Sequence, residues 1–125
     1  NADQCYTEAL AIYRKLSPDD DTVDIANTLY NQGVNHNDAG QYSNADQCYT
    51  EALAVYRKLS PDDDTVQIAN TLCYLGVNYA HAGNEGKARE KVREALNIYM
   101  RLDPHNPKIT KIQDYLSERK WKAAV

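Results

Sequence analysis

NADQCYTEALAIYRKLSPDDDTVDIANTLYNQGVNHNDAGQYS, residues 1–43, runs without a gap into NADQCYTEALAVYRKLSPDDDTVQIANTLCYLGVNYAHAGNEG, residues 44–86. The two stretches agree at 32 of 43 positions, and their first 29 positions differ only at Ile12/Val55 and Asp24/Gln67. A third, decayed copy starts at Lys87, where KAREKVREALNIYMRLDPHNPKIT keeps Ala88, Ala95, Leu96, Tyr99, Leu102 and Pro104 in register. A fixed period of about 20 to 50 residues is the signature of a repeat array, in which each unit buries its apolar face against its neighbours.

Within the unit, Ala2, Tyr6, Ala9, Leu10, Tyr13 and Leu16 follow helical spacing. Ser17-Pro18 stops that helix, because proline lacks the N–H and restricts the residue before it. Asp19-Asp20-Asp21-Thr22 offers several N-caps whose charge suits the positive end of the next helix. That helix is predicted from about Thr22 to Asp38, with Val23, Ile25, Ala26, Leu29, Gly33 and Val34 toward the packing side, and Ala39-Gly40 ends it. The cycle repeats with a helix from near Ser43-Asn44 to Leu59, a stop at Ser60-Pro61, acids at 62–64, a helix to His81 and a turn at Ala82-Gly83. Lys87 to Leu102 forms the last copy of the tyrosine/alanine helix, and Pro107 can start one more, to about Lys122. In that last helix Glu118 and Arg119 stand where the earlier copies have Gln32-Gly33 and Leu75-Gly76. This is what a terminal capping helix would do to the site of close approach. Ile112, Tyr115, Leu116 and Trp121 are expected inward, with Lys111, Arg119, Lys120 and Lys122 outward. The predicted fold is all-α, one repeat domain divided as 1–18, 19–61, 62–104 and the cap 105–125.

The bulk numbers agree with a small globular domain: 125 residues, 42% of them hydrophobic, can bury a modest core. No apolar run approaches the roughly 18 residues of a membrane span, and the amino end lacks the basic-then-apolar layout of a signal peptide. A cytoplasmic protein is expected. Cys5 and Cys48 share one repeat position, Cys73 stands alone, and no two lie at metal-ligand or redox spacing. Charge is uneven. Residues 1–86 hold 4 Lys and Arg against 13 Asp and Glu, and residues 87–125 hold 10 against 5. The basic end is either a solvated cap or a surface for an acidic partner, such as the acidic end of another copy. The chain has no phenylalanine and ten tyrosines, which supply bulk for packing while the hydroxyl reaches the edge.

Catalytic chemistry is not visible. The Asp triplets lack the alternating acids, central glycine and distal Glu of a calcium loop. His36, His81 and His105 have no second ligand at helical spacing, and no phosphate loop or nucleophile elbow occurs. No metal and no cofactor is expected. The repeats are acidic, which disfavours nucleic acid.

At Leu29 to Leu53, LYNQGVNHNDAGQYSNADQCYTEAL, the chain resembles a tetratricopeptide repeat. Gly33, Gly40, Ala45, Tyr49 and Ala52 sit at that motif's spacing. The match recurs at Gly76, Tyr79, Gly83, Ala88, Val92 and Ala95, and in half at Ala2, Tyr6 and Ala9. It covers about residues 1–104. The 43-residue period is longer than the family's usual 34, and its SPDDDTV joint is similar to the long repeats of kinesin light chains. His36, Gln32 and Val92 depart from the motif and imply looser packing of the first full repeat.

The resemblance implies a solenoid of helical hairpins wound as a right-handed superhelix, whose first helices line a concave groove for a peptide or protein partner. By register the groove positions are Asn27, Tyr30, Asn31, Val34, Asn37 and Asp38 in the first full repeat. In the second they are Asn70, Cys73, Tyr74, Val77, Ala80 and His81, and in the cap Gln113, Leu116 and Lys120. No Lys or Arg lies between Lys15 and Arg57 or between Lys58 and Lys87. The paired lysines with which some members of the family hold chaperone-tail carboxylates are therefore lacking. Asparagines can bond a peptide backbone instead, or can satisfy neighbouring helices, while Tyr30 and Tyr74 offer flat contact area. A non-catalytic interaction scaffold is expected, with no nucleic acid and no membrane as partner. The alternative is self-association: the first helix would expose Ala2, Tyr6, Ala9 and Tyr13, which a second copy, a swapped hairpin or preceding repeats of a longer array would cover. The near-identity of the copies also fits a recent duplication, natural or engineered.

Overall fold

The computed structural model describes residues 7–12, 14 and 22–118, and among these every regular element is a helix. The helices are α1 (Val23–Asp38), α2 (Tyr42–Leu59), α3 (Val66–His81), α4 (Glu85–Leu102) and α5 (Lys108–Glu118), with helical residues also at 7–12 and 14. The chain divides into two compact units, residues 1–63 and 64–125.

In the first unit α1 and α2 form an antiparallel hairpin. Thr22 is the N-cap: its backbone is extended, and its Oγ accepts from the Ile25 N–H at 3.2 Å. The neighbouring acids Asp19 to Asp21, the other cap candidates, lie outside the described residues. α1 buries Ile25, Ala26, Leu29, Gly33 and His36 on one side, against Ala45, Tyr49, Ala52, Leu53 and Tyr56 of α2. Gly33 is needed there, because a Cβ would come within 2.7 Å of the Tyr49 ring. The turn is a Schellman motif. Gly40 has φ +75°, the Gln41 N–H donates to the His36 carbonyl at 2.8 Å, and the Gly40 N–H donates to the Asn37 carbonyl at 3.0 Å. His36 Nδ1 adds a bond to Gln41 Oε1 at 2.6 Å, so the histidine that replaces an aromatic is a buried part of the turn. Gln32 reaches Thr7 Oγ at 3.2 Å, where the second copy buries Leu75. α2 starts at Tyr42, one residue before the predicted start, and ends at Leu59 ahead of Pro61.

The second unit repeats the hairpin with α3 and α4 and adds α5. Thr65 again caps by accepting from the Ile68 N–H at 3.2 Å, while Asp62 and Asp63 are exposed and Asp64 pairs with Arg101 at 2.6 Å. Threonine, rather than the aspartates, is the cap that the structure uses. The core joins Ile68, Ala69, Leu72, Leu75 and Gly76 to Ala88, Val92, Ala95, Ile98 and Tyr99. Here the backbones come closer: a Cβ on Gly76 would lie 2.6 Å from Val92 Cγ1 and 3.1 Å from the Ala88 carbonyl oxygen. Gly83 at φ +85° repeats the Schellman turn, with Asn84 N–H on the Tyr79 carbonyl at 2.8 Å.

α5 packs on α4 through Ile112 and Tyr115, both buried. The Tyr115 hydroxyl donates to Glu85 Oε2 at 2.5 Å, and Arg89 Nη1 donates to the Leu116 carbonyl at 3.0 Å. Leu116 itself is only half-buried. Asn106 Oδ1 takes the Lys108 N–H at 2.9 Å and so starts the helix. Trp121, Arg119, Lys120 and Lys122 lie outside the described residues. No helix among the described residues is long and apolar enough to cross a membrane.

Candidate partner-binding site

Asn27, Tyr30, Asn31, Val34, Asn37 and Asp38 occupy one side of α1, at offsets of 0, 3, 4, 7, 10 and 11 residues. The packing residues Ile25, Leu29, Gly33 and His36 take the other side. Asn27, Asn31 and Asp38 are exposed, and Tyr30, Val34 and Asn37 half-buried. The Tyr30 ring meets Tyr49 edge-on, with centroids 6.1 Å apart and planes at 64°, so its inner edge is fixed while its outer part faces solvent. Asn27 also serves the hairpin itself, since its Oδ1 accepts the Tyr56 hydroxyl and ties the start of α1 to the end of α2.

The second unit builds the same tie between Asn70 Oδ1 and the Tyr99 hydroxyl. Burial, reinforced by Cys73, Tyr74 and Asp103, pushes the Tyr99 phenol far above its ordinary range, so it is a permanent donor. Burial raises Tyr56 in the same sense. Of the two roles the sequence left open, these oxygens serve a neighbouring helix: Asn27 Oδ1 takes Tyr56, and Asn70 Oδ1 takes Tyr99 and also Lys108.

Tyr74 and Val77 are half-buried and His81 is exposed on α3. Cys73, expected on the same face, is buried instead. It stands where the first copy has Tyr30 but is too small to reach solvent. Burial pushes its thiol up to about 11, against the pull of Lys108 and Lys111. In the cap, Gln113 is exposed and Lys120 falls outside the described residues.

One residue of this face was not foreseen from the sequence. Lys108, at the first turn of α5, places Nζ 3.2 Å from Asn70 Oδ1 and 5.0 Å from the centroid of the Tyr74 ring. The face of the second unit is therefore not free of cations, as the stretch between Lys58 and Lys87 suggested. The signal was present in the register, which puts Lys108 opposite Thr22 and Thr65. A lysine cannot cap, so Asn106 caps and the lysine is released to reach α3.

A model of the tetratricopeptide repeat family matches residues 1–58 and 24–101 in two overlapping passes. The chain belongs to that family. Tetratricopeptide repeats form a scaffold family rather than an enzymatic one, and they mediate interaction between proteins. The resemblance carried by Gly33, Gly40, Ala45, Tyr49 and Ala52 is thereby confirmed, as is the all-α helical-hairpin architecture. No curated protein matches the chain. Among the described residues, no group of three or more His, Cys, Asp or Glu side chains is placed to hold a metal ion.

Proposed function

We propose that this tetratricopeptide chain is a non-catalytic scaffold that receives an extended segment of a protein partner. Each unit offers its own contact on the open side of its first helix: Asn31, Tyr30, Val34, Asn37 and Asp38 on α1 of the first unit, and Tyr74, Val77 and His81 on α3 of the second. Asn27 and Asn70 offer the partner their amide N–H groups, since Oδ1 is engaged within the hairpin. The observation that supports the reading is the division of each first helix. One side is sealed on its hairpin partner, and the other keeps amides, aromatic edges and a valine accessible to solvent. Amides bond a peptide backbone whatever its side chains, and half-exposed aromatic rings add contact area at little entropic cost. The buried thiol of Cys73 supports a reducing, cytoplasmic setting.

The test uses peptides selected on the protein from a random twelve-residue display library. Asn31→Ala with Tyr74→Ala should weaken the selected peptides at least about tenfold, the loss expected for a central aromatic anchor. Helical circular dichroism should stay unchanged. Undiminished binding would refute the assignment of these faces.

A further inference from the structure

We infer that Ser60, the residue that ends α2, is a phosphorylation site, and that a phosphate there opens the last turn of that helix. The inference is independent of which face receives a partner.

Ser60 is followed by Pro61, Asp62 and Asp63. Proline has no N–H to give to an enzyme cleft and its ring needs a matching pocket, so the serine suits a proline-directed kinase. Residues 60–65 are not helical, Ser60 is half-buried, and Pro61 to Asp64 are exposed. Among the described residues the Ser60 hydroxyl makes no hydrogen bond, so none has to be broken to present it. In the transfer Oγ bonds the γ-phosphorus of a nucleoside triphosphate while the bond from that phosphorus to the bridging oxygen breaks. The nucleoside diphosphate leaves, and the hydroxyl proton passes to a base of the kinase. Ser17-Pro18 repeats the dipeptide and lies outside the described residues.

The third copy carries a permanent negative charge at the same place. There Asp103-Pro104 stands where the second copy has Ser60-Pro61. Asp103 ends α4 as Ser60 ends α2, with φ −148° and ψ 67° against −133° and 68°. Its N–H donates to the Tyr99 carbonyl at 2.7 Å, and that of Ser60 to the Tyr56 carbonyl at 3.0 Å. The position therefore accepts an anion, and Asn106 shows what holds it: its Nδ2 donates to Asp103 Oδ2 at 3.0 Å. The counterpart of Asn106 in the second copy is Asp63, which has no donor to offer. A phosphate on Ser60 brings a charge of about −1.5 to −2 to the negative end of α2, beside Asp62 and Asp63. Arg57 and Lys58 of the last turn are exposed, where an ion pair gains little. Repulsion wins, and the bond from Ser60 N–H to the Tyr56 carbonyl is the first to open.

The experiment incubates the full chain, carrying Ser17→Ala so that one dipeptide remains, with a purified mitogen-activated protein kinase, ATP and magnesium. Tandem mass spectrometry should find one phosphoryl group on Ser60, and Pro61→Ala should lose it. A chain left unmodified at Ser60, or modified equally with Pro61→Ala, would overturn the site. Hydrogen exchange then reads the consequence. Amides of residues 57–60 should exchange at least about threefold faster in the phosphorylated chain than in the unmodified one, as local opening predicts. In Asp63→Asn the phosphate gains a donor in the manner of Asn106, and the acceleration should vanish. Ser60→Asp, which needs no kinase, should be accelerated in the wild-type background, and adding Asp63→Asn should slow it again. No acceleration in the phosphorylated chain, or the same acceleration with and without Asp63→Asn, would overturn the opening of α2.

Discussion

Replacing Gly76 by alanine sets two effects of opposite sign against each other, and the structure decides between them. Alanine is favoured over glycine inside a helix by about 1 kcal/mol. The added methyl would however sit 2.6 Å from Val92 Cγ1, 3.1 Å from the Ala88 carbonyl oxygen and 3.3 Å from the Val92 nitrogen. Val92 is fully buried and β-branched, with one preferred rotamer in a helix, so it cannot swing aside. The other two atoms are backbone and move only if α4 moves. The hairpin must open at its tightest point, which loosens the contacts of Ala88 and Ala95. Overpacking of this kind falls in the upper part of its usual range, about 2–3 kcal/mol. The net loss is then about 1–2 kcal/mol after subtracting the helix-propensity gain of about 1 kcal/mol. Urea unfolding followed by helical circular dichroism should show a lower midpoint with an unchanged slope. Adding Val92→Ala should recover roughly 1 kcal/mol through non-additivity, because the nearest clashing atom is gone. A midpoint that stays or rises in Gly76→Ala would refute the close-approach argument.

Three further outcomes are expected. Thr65→Ala removes the acceptor for the Ile68 N–H and should cost about 0.5–2 kcal/mol in the same unfolding assay, whereas Asp63→Ala should cost almost nothing. Burial, with the Glu85 hydrogen bond and charge, pushes the Tyr115 phenol from 10.0 up to about 12. A raised folded-state value means that its stabilisation is complete below pH 10 and disappears as the pH rises through about 12. Tyr115→Phe should therefore flatten, though not abolish, the alkaline loss of stability, since Tyr99 is shifted in the same direction. Finally, iodoacetamide at about pH 8 should alkylate Cys48 well before Cys73, whose burial and raised thiol value leave only about one part in a thousand as thiolate. Equal rates measured by mass spectrometry would contradict the buried position.

The helical-hairpin architecture was legible because its determinants are local. A glycine at φ +75° or +85°, a serine-proline stop and apolar spacing each act over a few residues, and the exact period doubled every signal. Capping was legible in place but not in agent. Aspartate and threonine both cap, and only the position one residue before the first turn decides in favour of Thr22 and Thr65. The binding faces were less readable because their residues serve two directions. An asparagine at a groove position looks the same whether its oxygen faces a partner or a tyrosine 29 residues away. Cys73 was misplaced outward because register gives a direction and not a reach. Lys108 was missed for a different reason: the register puts it at the start of its helix, but the reach of its side chain to Asn70, 38 residues away, is not encoded in the period.

The two glycine contacts have a consequence for a chain that carries nearly the same helix several times over. Gly33 faces a tyrosine ring, while Gly76 faces a valine and the backbone behind it. If α1 were to close on α4 during synthesis, the valine would leave a hollow where the ring belongs. If α3 were to close on α2, the ring would strike a gap shaped for valine. The Tyr–Asn ties cannot tell the copies apart, since they recur unchanged, whereas this difference in side-chain size favours each helix's own mate. Exchanging the two residues, Tyr49→Val with Val92→Tyr, should remove that sorting and yield intermolecular species on refolding, measurable by light scattering. In a duplicated sequence, fidelity of pairing thus draws on the divergence of the third copy, which put valine where the first two keep tyrosine.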